Sequence, residues 1–467
     1  MTRATVSGIA LAVASLATLF DQFAHGQPLA AAIASLAMVA YVVLEYRQSP
    51  RAARAIVVLA LLSAALLWPS MSEPWKLVRE GIVFGTFLST FFVALGFVRM
   101  AAEKSARIER AGRQLLAQPA GRRYLVLTLG SNLFGLILSM GVIGLLGSMV
   151  KRGNEAPEGV ADHPEVRRLR ERRAMMAIQR GFAMVPTWSP LSLPIPIVLT
   201  AIPTLKWEAV VPAALAAVLL LLAVGWIDDQ LSFRKAEVEA DGAQPLDLAS
   251  WWVHVPFLLL ILGIFGASVL LEKTVGSPLV LGMMACAPTA ALLWVAGQGV
   301  SQDWRTAGRW LRERVHRQVT QVFPQYRTEI IIMFMAGFFG VLIRATLPKD
   351  LIPSLIDWLS LSPRWLPAMA YLLVIVLSNL AIHPMMAVII LSAAMPNPDR
   401  LGIEPLSMAL AYLCGWGVGV SASPYTVCNL MIGQFTDHSA HYIAYRWNGR
   451  FLLAVMLLGS LGLYWLA

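Results

Sequence analysis

Residues 177–192 read AIQRGFAMVPTWSPLS and residues 411–426 read AYLCGWGVGVSASPYT. Aligned without a gap, Ala, Gly, Ser and Pro coincide, Phe182 faces Trp416, and Ser192 faces Thr426. Both stretches sit inside apolar runs, and both runs are interrupted. Segment 174–204 holds Pro186, Pro190, Pro194, Pro196 and Pro203; segment 405–433 holds Gly415, Gly417, Gly419 and Pro424. Proline removes a backbone donor and clashes with the preceding turn, and glycine loosens the helix. Each segment therefore reads as a discontinuous membrane helix. Irregular backbone at membrane depth must be buried in protein or line a watery cavity.

Working outward, Ser-Asn-Leu occurs at 131–133 and again at 378–380, each time upstream of one of these broken helices. The segment 122–149 around the first copy is basic on both sides. Arg99, Lys104, Arg107, Arg110, Arg113, Arg122 and Arg123 precede or open it, and Lys151, Arg152, Arg167, Arg168, Arg170, Arg172 and Arg173 follow. Basic loops belong on the cytoplasmic side, so the segment is expected to enter and leave on one face, as a re-entrant hairpin with Ser131-Asn132 near its turn. The segment 365–396 is awkward for one helix and short for two spans of about 20 residues each. Ser378-Asn379 lies near its middle and Pro384 breaks it, so a second hairpin is expected there.

The remaining chain is a series of apolar runs, near 5–21, 28–46, 53–70, 81–100, 208–226, 251–271, 276–297, 329–347 and 451–466. Composition agrees: 58% of the 467 residues are hydrophobic and 14% charged, against about 25% charged in soluble domains. With two hairpins and two crossing broken helices, about eleven spans result. Of the 37 Lys and Arg, 28 then fall in loops of one side and eight on the other, the bias a cytoplasmic face shows. That bias accounts for the net charge of +10 without nucleic acid. The reading is a multi-pass protein of a bacterial inner membrane, N-terminus cytoplasmic and C-terminus periplasmic. Residues 1–27 are either a lead helix or a cleavable signal peptide ending near Ala24-His25-Gly26; residue 27 lies outside in both cases. Cys286, Cys414 and Cys428 match no metal or disulfide pattern.

The elements repeat in order: three spans, hairpin, broken helix, span. Residues 28–226 form the first unit, 227–250 a cytoplasmic linker, and 251–467 the second. Five crossings per unit invert the second relative to the first. Inverted repeats with broken helices place a solute site near the midplane, where half-helix ends converge, and N-terminal ends suit anions.

On these residues the chain resembles the ion transporter superfamily, and within it the divalent anion:sodium symporter architecture. Ser131-Asn132 and Ser378-Asn379 match the hairpin tips of that family, and GFAMVPTWSPLSLP (181–194) and GWGVGVSASPYTVCN (415–429) stand in the place of its discontinuous helices. Leu133 and Leu380 replace the tip threonines. The resemblance implies an all-α fold, a homodimer with a fixed scaffold and a moving transport part, and sodium or proton as coupling ion, with no other cofactor.

The expected site is Ser131, Asn132, Ser378 and Asn379 at the tips, with Thr187, Ser189, Ser192, Ser421, Ser423, Thr426 and Asn429 at the breaks. Each has a second reading. The asparagines can cap or glue helices, and the hydroxyls can repair freed backbone groups. Arg180, within a span, either snorkels to the cytoplasmic face or serves as counter-charge to an anion. His383 is a structural histidine or a proton-coupling group. No Asp or Glu lies deep in either hairpin or broken helix, which disfavours cation antiport, and the acids at 227–250 look scattered and unpartnered. No cluster of acids, His-rich site or nucleophile–base pair suggests a membrane-embedded enzyme on a lipid-linked substrate. Amphipathic stretches at 103–121 and 303–327, with Trp304 and Trp310, read as interfacial helices. The expectation is a secondary active transporter of a small organic anion such as a carboxylate, with ion antiport or metalloid efflux as the alternative.

Overall fold

Apolar runs in lipid must satisfy their own backbone groups, and only helices or closed barrels do so. The computed structural model, which describes residues 2–102, 106–153, 164–233, 248–302, 305, 307–348, 354, 358, 360–395 and 398–467, is accordingly helical, with no strand among the described residues. The helices are α1 (Arg3–Phe23), α2 (Pro28–Tyr46), α3 (Arg51–Leu67), α4 (Pro74–Ala102), α5 (Ala106–Leu116), α6 (Ala120–Leu138), α7 (Gly141–Gly153), α8 (Pro164–Ala183), α9 (Val185–Trp188) and α10 (Pro194–Ala201). They continue as α11 (Trp207–Phe233), α12 (Val255–Val275), α13 (Leu279–Gln302), α14 (Ala307–Arg317), α15 (Arg327–Thr346), α16 (Trp365–Asn379), α17 (Pro384–Ala394), α18 (Pro405–Ala422), α19 (Val427–Thr436) and α20 (Gly449–Leu466). Among the described residues, 10 helical stretches are long and apolar enough to cross a membrane. The expected span absent from that set is 174–204, because α8 is arginine-rich at its start and α10 has 8 residues.

The chain divides into two compact units, each drawn from both halves of the sequence. One comprises residues 1–104 and 260–351, the other 105–259 and 352–467. In the first unit, Leu11, Met38, Tyr41, Val93, Phe323, Ile330 and Phe334 share one buried core. In it α4 crosses α15 closely. A Cβ on Gly337 would lie 2.7 Å from Gly85 Cα, and one on Gly85 would collide with the Phe334 carbonyl. Small residues let helix backbones approach where lipid offers no hydrophobic drive.

The second unit holds the irregular elements. The two segments expected to be broken helices are interrupted after α9 at Ser189, and after α18 at Ser423. The first hairpin segment does not turn where expected. Ser131 and Asn132 lie inside α6, and the chain breaks at Ser139, whose φ is 51°. The second breaks at Leu380–His383, directly after Ser378-Asn379, with Ala381 at φ 65°. At about 1.5 Å per residue, α7, α16 and α17 fall short of a hydrocarbon core about 30 Å thick. The linker boundary also moves. Residues 227–233 belong to α11, while 234–247, like Trp304, lie outside the described residues.

The α4–α15 crossing predicts that Gly85→Ala lowers the melting temperature of the detergent-purified protein, at about 1–3 kcal/mol for an overpacked contact. Gly263→Ala on α12, with open space around it, leaves the melt unchanged or slightly raised.

Candidate functional site

Both breaks begin with a serine forced into extended backbone by the proline after it: Ser189 at φ −83°, ψ 122°, and Ser423 at φ −90°, ψ 126°. The repair of the freed backbone is the same at each. Ser189 Oγ accepts from Leu191 N at 3.1 Å, and Ser423 Oγ accepts from Tyr425 N at 3.2 Å, the local turn that serine hydroxyls favour. Ser192 Oγ donates to Ser189 O at 2.5 Å, and Thr426 Oγ1 donates to Ser423 O at 3.0 Å. Four of the six break hydroxyls thus act on backbone.

Thr187 and Ser421 differ. They occupy equivalent places in the alignment that opened this section of chain, and both are buried, at 0% and 1% exposure. Neither Thr187 Oγ1 nor Ser421 Oγ has a hydrogen-bond partner. They meet the same crossing. α18 passes α9 at Gly417, where a Cβ would stand 2.5 Å from Thr187 Oγ1, and Ser421 lies one turn further along α18.

The tip residues are engaged with the broken helices. Ser131 Oγ donates to Ile178 O at 2.7 Å, and Asn132 Nδ2 donates to Gly181 O at 3.1 Å while its Oδ1 accepts from Trp188 Nε1 at 3.2 Å. In the second hairpin, Ser378 O accepts from Ser423 Oγ at 2.5 Å. Asn379 donates to Ile375 O at 2.9 Å and accepts from Tyr445 Oη at 2.9 Å. His383 caps α17: its Nδ1 accepts from Met385 N at 3.2 Å, so that nitrogen carries no proton in this geometry.

Arg180 takes neither of its expected roles. Its side chain is 0% exposed, so it does not snorkel. Its charge is already matched: Nη2 donates to Asp228 Oδ2 at 2.8 Å, Nε to Asn448 Oδ1 at 3.0 Å, and Nη1 to Tyr124 Oη and Gly225 O, each at 3.3 Å. The guanidinium also sits 4.2 Å over the Phe451 ring. About two turns before Arg180 on α8, Arg173 pairs with Asp229, Nη2 to Oδ2 at 2.7 Å. Asp228 and Asp229 are therefore partnered, against the sequence reading; the other acids of 227–250 lie outside the described residues. From Arg180 a hydrogen-bonded chain runs on. Asn448 Nδ2 donates to Gln179 Oε1 at 2.7 Å, Gln179 Nε2 donates to Asn429 Oδ1, and Asn429 Nδ2 donates to the carbonyls of Ser421 and Ser423 at 3.0 and 2.8 Å. Gln179, Asn448, Asp228, Asp229 and Tyr124 were not expected at the site. A carboxylate pair closing the apolar run of α11 was the available signal.

Sequence comparison finds no matching family model and no matching curated protein. Comparison of folds finds solved structures. Over 89% of its length the chain matches the Alcanivorax borkumensis YdaH transporter, covering 99% of that protein, with TM-score 0.56 at 14% identity. Over 85% it matches Neisseria gonorrhoeae MtrF, described as illuminating a class of antimetabolite efflux pumps, covering 84% of it with TM-score 0.53 at 12% identity. The chain therefore has an all-α polytopic membrane fold shared with transporters. The likeness does not single out the divalent anion:sodium symporters, so the narrower resemblance drawn from the tip motifs gives way to this broader one.

The Arg180–Asp228 pair predicts a marked asymmetry. Asp228→Ala strands a buried guanidinium and costs about 3–5 kcal/mol, whereas replacing both partners by leucine is far milder. Thermal melts of the two single variants and the double variant measure this; a double variant as unstable as Asp228→Ala contradicts it.

Proposed function

We propose that this chain is a secondary active transporter that moves a small anionic solute across the membrane by alternating access, with the solute held where α9 crosses α18. The observation that carries the reading is the pair of buried, unpartnered hydroxyls, Thr187 and Ser421, at equivalent positions of the two helix breaks. Leaving a buried hydroxyl unpaired costs about 1–3 kcal/mol, and a site built to bond a solute is where such a cost recurs. A second feature supports an anion. Thr426 stands at the N-cap of α19 but makes no cap bond with its side chain, because its hydroxyl is turned to Val420 O and Ser423 O. The first turn of α19 thus keeps its N–H donors and its dipole end for a ligand. Arg180, being paired with Asp228, has no part in solute contact.

Ser131, Asn132, Ser378, Asn379, Ser189, Ser192, Ser423 and Asn429 shape this site by holding the breaks. The coupling ion in this reading is sodium or a proton, and the working form is a homodimer in a bacterial inner membrane. The likeness to MtrF favours export over uptake as the direction.

Melting temperature against a panel of small carboxylates and related anions, with and without sodium and at two pH values, tests the reading. A binder present at a hundredfold excess over Kd stabilises by about 2.7 kcal/mol. The shift is expected in the wild type and is lost in Thr187→Val and Ser421→Ala, whose melts without ligand equal or exceed that of the wild type because the unpaired hydroxyl is gone. A panel in which only cations or neutral species shift the melt removes the anion assignment.

A further inference from the structure

The first unit contains a buried acid that neither the fold nor the solute site uses. Asp21, near the end of α1, is 7% exposed, and its Oδ1 has no hydrogen-bond partner. Its Oδ2 receives a single long bond, from Gln22 Nε2 at 3.3 Å. Among the described residues no cationic side chain pairs with it. A buried carboxylate without a counter-charge is strongly unfavourable unless a cation or a proton neutralises it.

The surroundings fit a cation. Asp21 lines a cavity of about 10 Å³ together with Thr18, Gln22, Ser35 and Thr86, room for one water-sized species. The polar groups that face it are oxygen-bearing. Thr18 Oγ1 donates its hydrogen to Ala14 O at 2.8 Å, and Thr86 Oγ1 donates to Ile82 O at 2.7 Å. With their hydrogens committed to their own helices, both hydroxyls can offer only lone pairs to the cavity. Thr90 reaches Thr18 Oγ1 at 3.4 Å and takes one of these. The Gln22 amide nitrogen is engaged with Asp21, which leaves its oxygen as a further ligand. Carboxylate, amide and hydroxyl oxygens suit hard cations, and no soft nitrogen or sulfur donor is present in the lining. The charge count selects among them. The lining holds one carboxylate, which balances one positive charge, and among the described residues no group of three or more acidic, His or Cys side chains could hold a metal.

We infer that Asp21, Thr18, Gln22, Ser35 and Thr86 form a binding site for a small monovalent cation of the sodium or lithium class, which ties α1 to α2 and α4. The site lies within the first unit and is independent of the solute reading.

The test uses the full-length protein in detergent at constant ionic strength and without added anionic solute. Melting temperature is followed as sodium, lithium or potassium chloride replaces choline chloride. A saturable rise is expected with sodium or lithium in the wild type, and a smaller rise or none with potassium. It is expected to vanish in Asp21→Asn, which keeps the side-chain shape and removes the charge, and to need a severalfold higher concentration in Thr86→Val. Should Asp21→Asn fail to fold, the Thr86→Val titration decides alone. A wild-type melt indifferent to all three cations overturns the proposal, as does a rise that Asp21→Asn retains. Repeated at a second pH, a melt that follows pH but no cation also overturns it, since a proton would then be the neutralising species. Loss of the cation response in Asp21→Asn with an intact anion response separates this site from the one at the helix breaks.

Discussion

The centre of the second unit depends on what happens to the charge of Arg180. A guanidinium has five donors and no acceptor, and at full burial each donor needs an oxygen. Asp228 neutralises the charge, Asn448, Tyr124 and Gly225 accept three further bonds, and Phe451 closes the face of the plane. These partners come from α6, α11, the turn before α20 and α20 itself, so four parts of the unit are fixed around one side chain. The arrangement does not end there. Asn448 is also held by Gln179, and Gln179 holds Asn429, whose amide is bonded to the carbonyls of Ser421 and Ser423. The charge balance at α8 is therefore linked bond by bond to the place where α18 ends. Buried polar networks of this kind rigidify a core when their members are satisfied.

The second constraint is the backbone at the breaks. Pro190 and Pro424 end regular hydrogen bonding, and in lipid the freed groups must find partners inside the protein. Ser189 with Ser192, and Ser423 with Thr426, make the same bonds at the two sites. The hairpin residues complete the repair differently on the two sides. Ser131 supports the helix before its break by bonding to Ile178 O, whereas Ser378 offers its carbonyl to Ser423 at the break itself. The doubled Ser-Asn-Leu thus marks contact with a broken helix in both halves, but the chain turns at different distances from it.

That difference shows what could be read from residues alone. Spans were legible because burial in lipid demands long apolar runs, and breaks were legible because Pro and Gly act locally. The turn at Ser139 was not. It has neither Pro nor Gly at the residue of positive φ, so no local signal in the sequence marks it. The fate of Arg180 was hidden for another reason: its partners lie 48 and 268 residues away. Asp228 and Asp229 looked like the start of a polar linker because charge normally ends an apolar helix. Here α11 continues through them, since Arg180 and Arg173 neutralise both. A charged pair at the end of an apolar run has two meanings, and only a partner in space separates them.

The same logic distinguishes the hydroxyls. On sequence, all six at the breaks could serve either backbone or ligand. The backbone accounts for Ser189, Ser192, Ser423 and Thr426. Thr187 and Ser421 are left over, and they are equivalent in an alignment fixed by other residues: Ala177 with Ala411, Gly181 with Gly415, and the two Ser-Pro pairs. One stranded hydroxyl would be an isolated defect of packing. Here two stand at matched positions, both enclosed, with Thr187 against the close passage of α18 at Gly417 and Ser421 one turn further along α18. Valine at 187 or alanine at 421 would remove the unpaired group and its cost of about 1–3 kcal/mol with little change of shape. The polar residue therefore makes no gain for stability at either place, and that is the ground on which the crossing is proposed as the solute site.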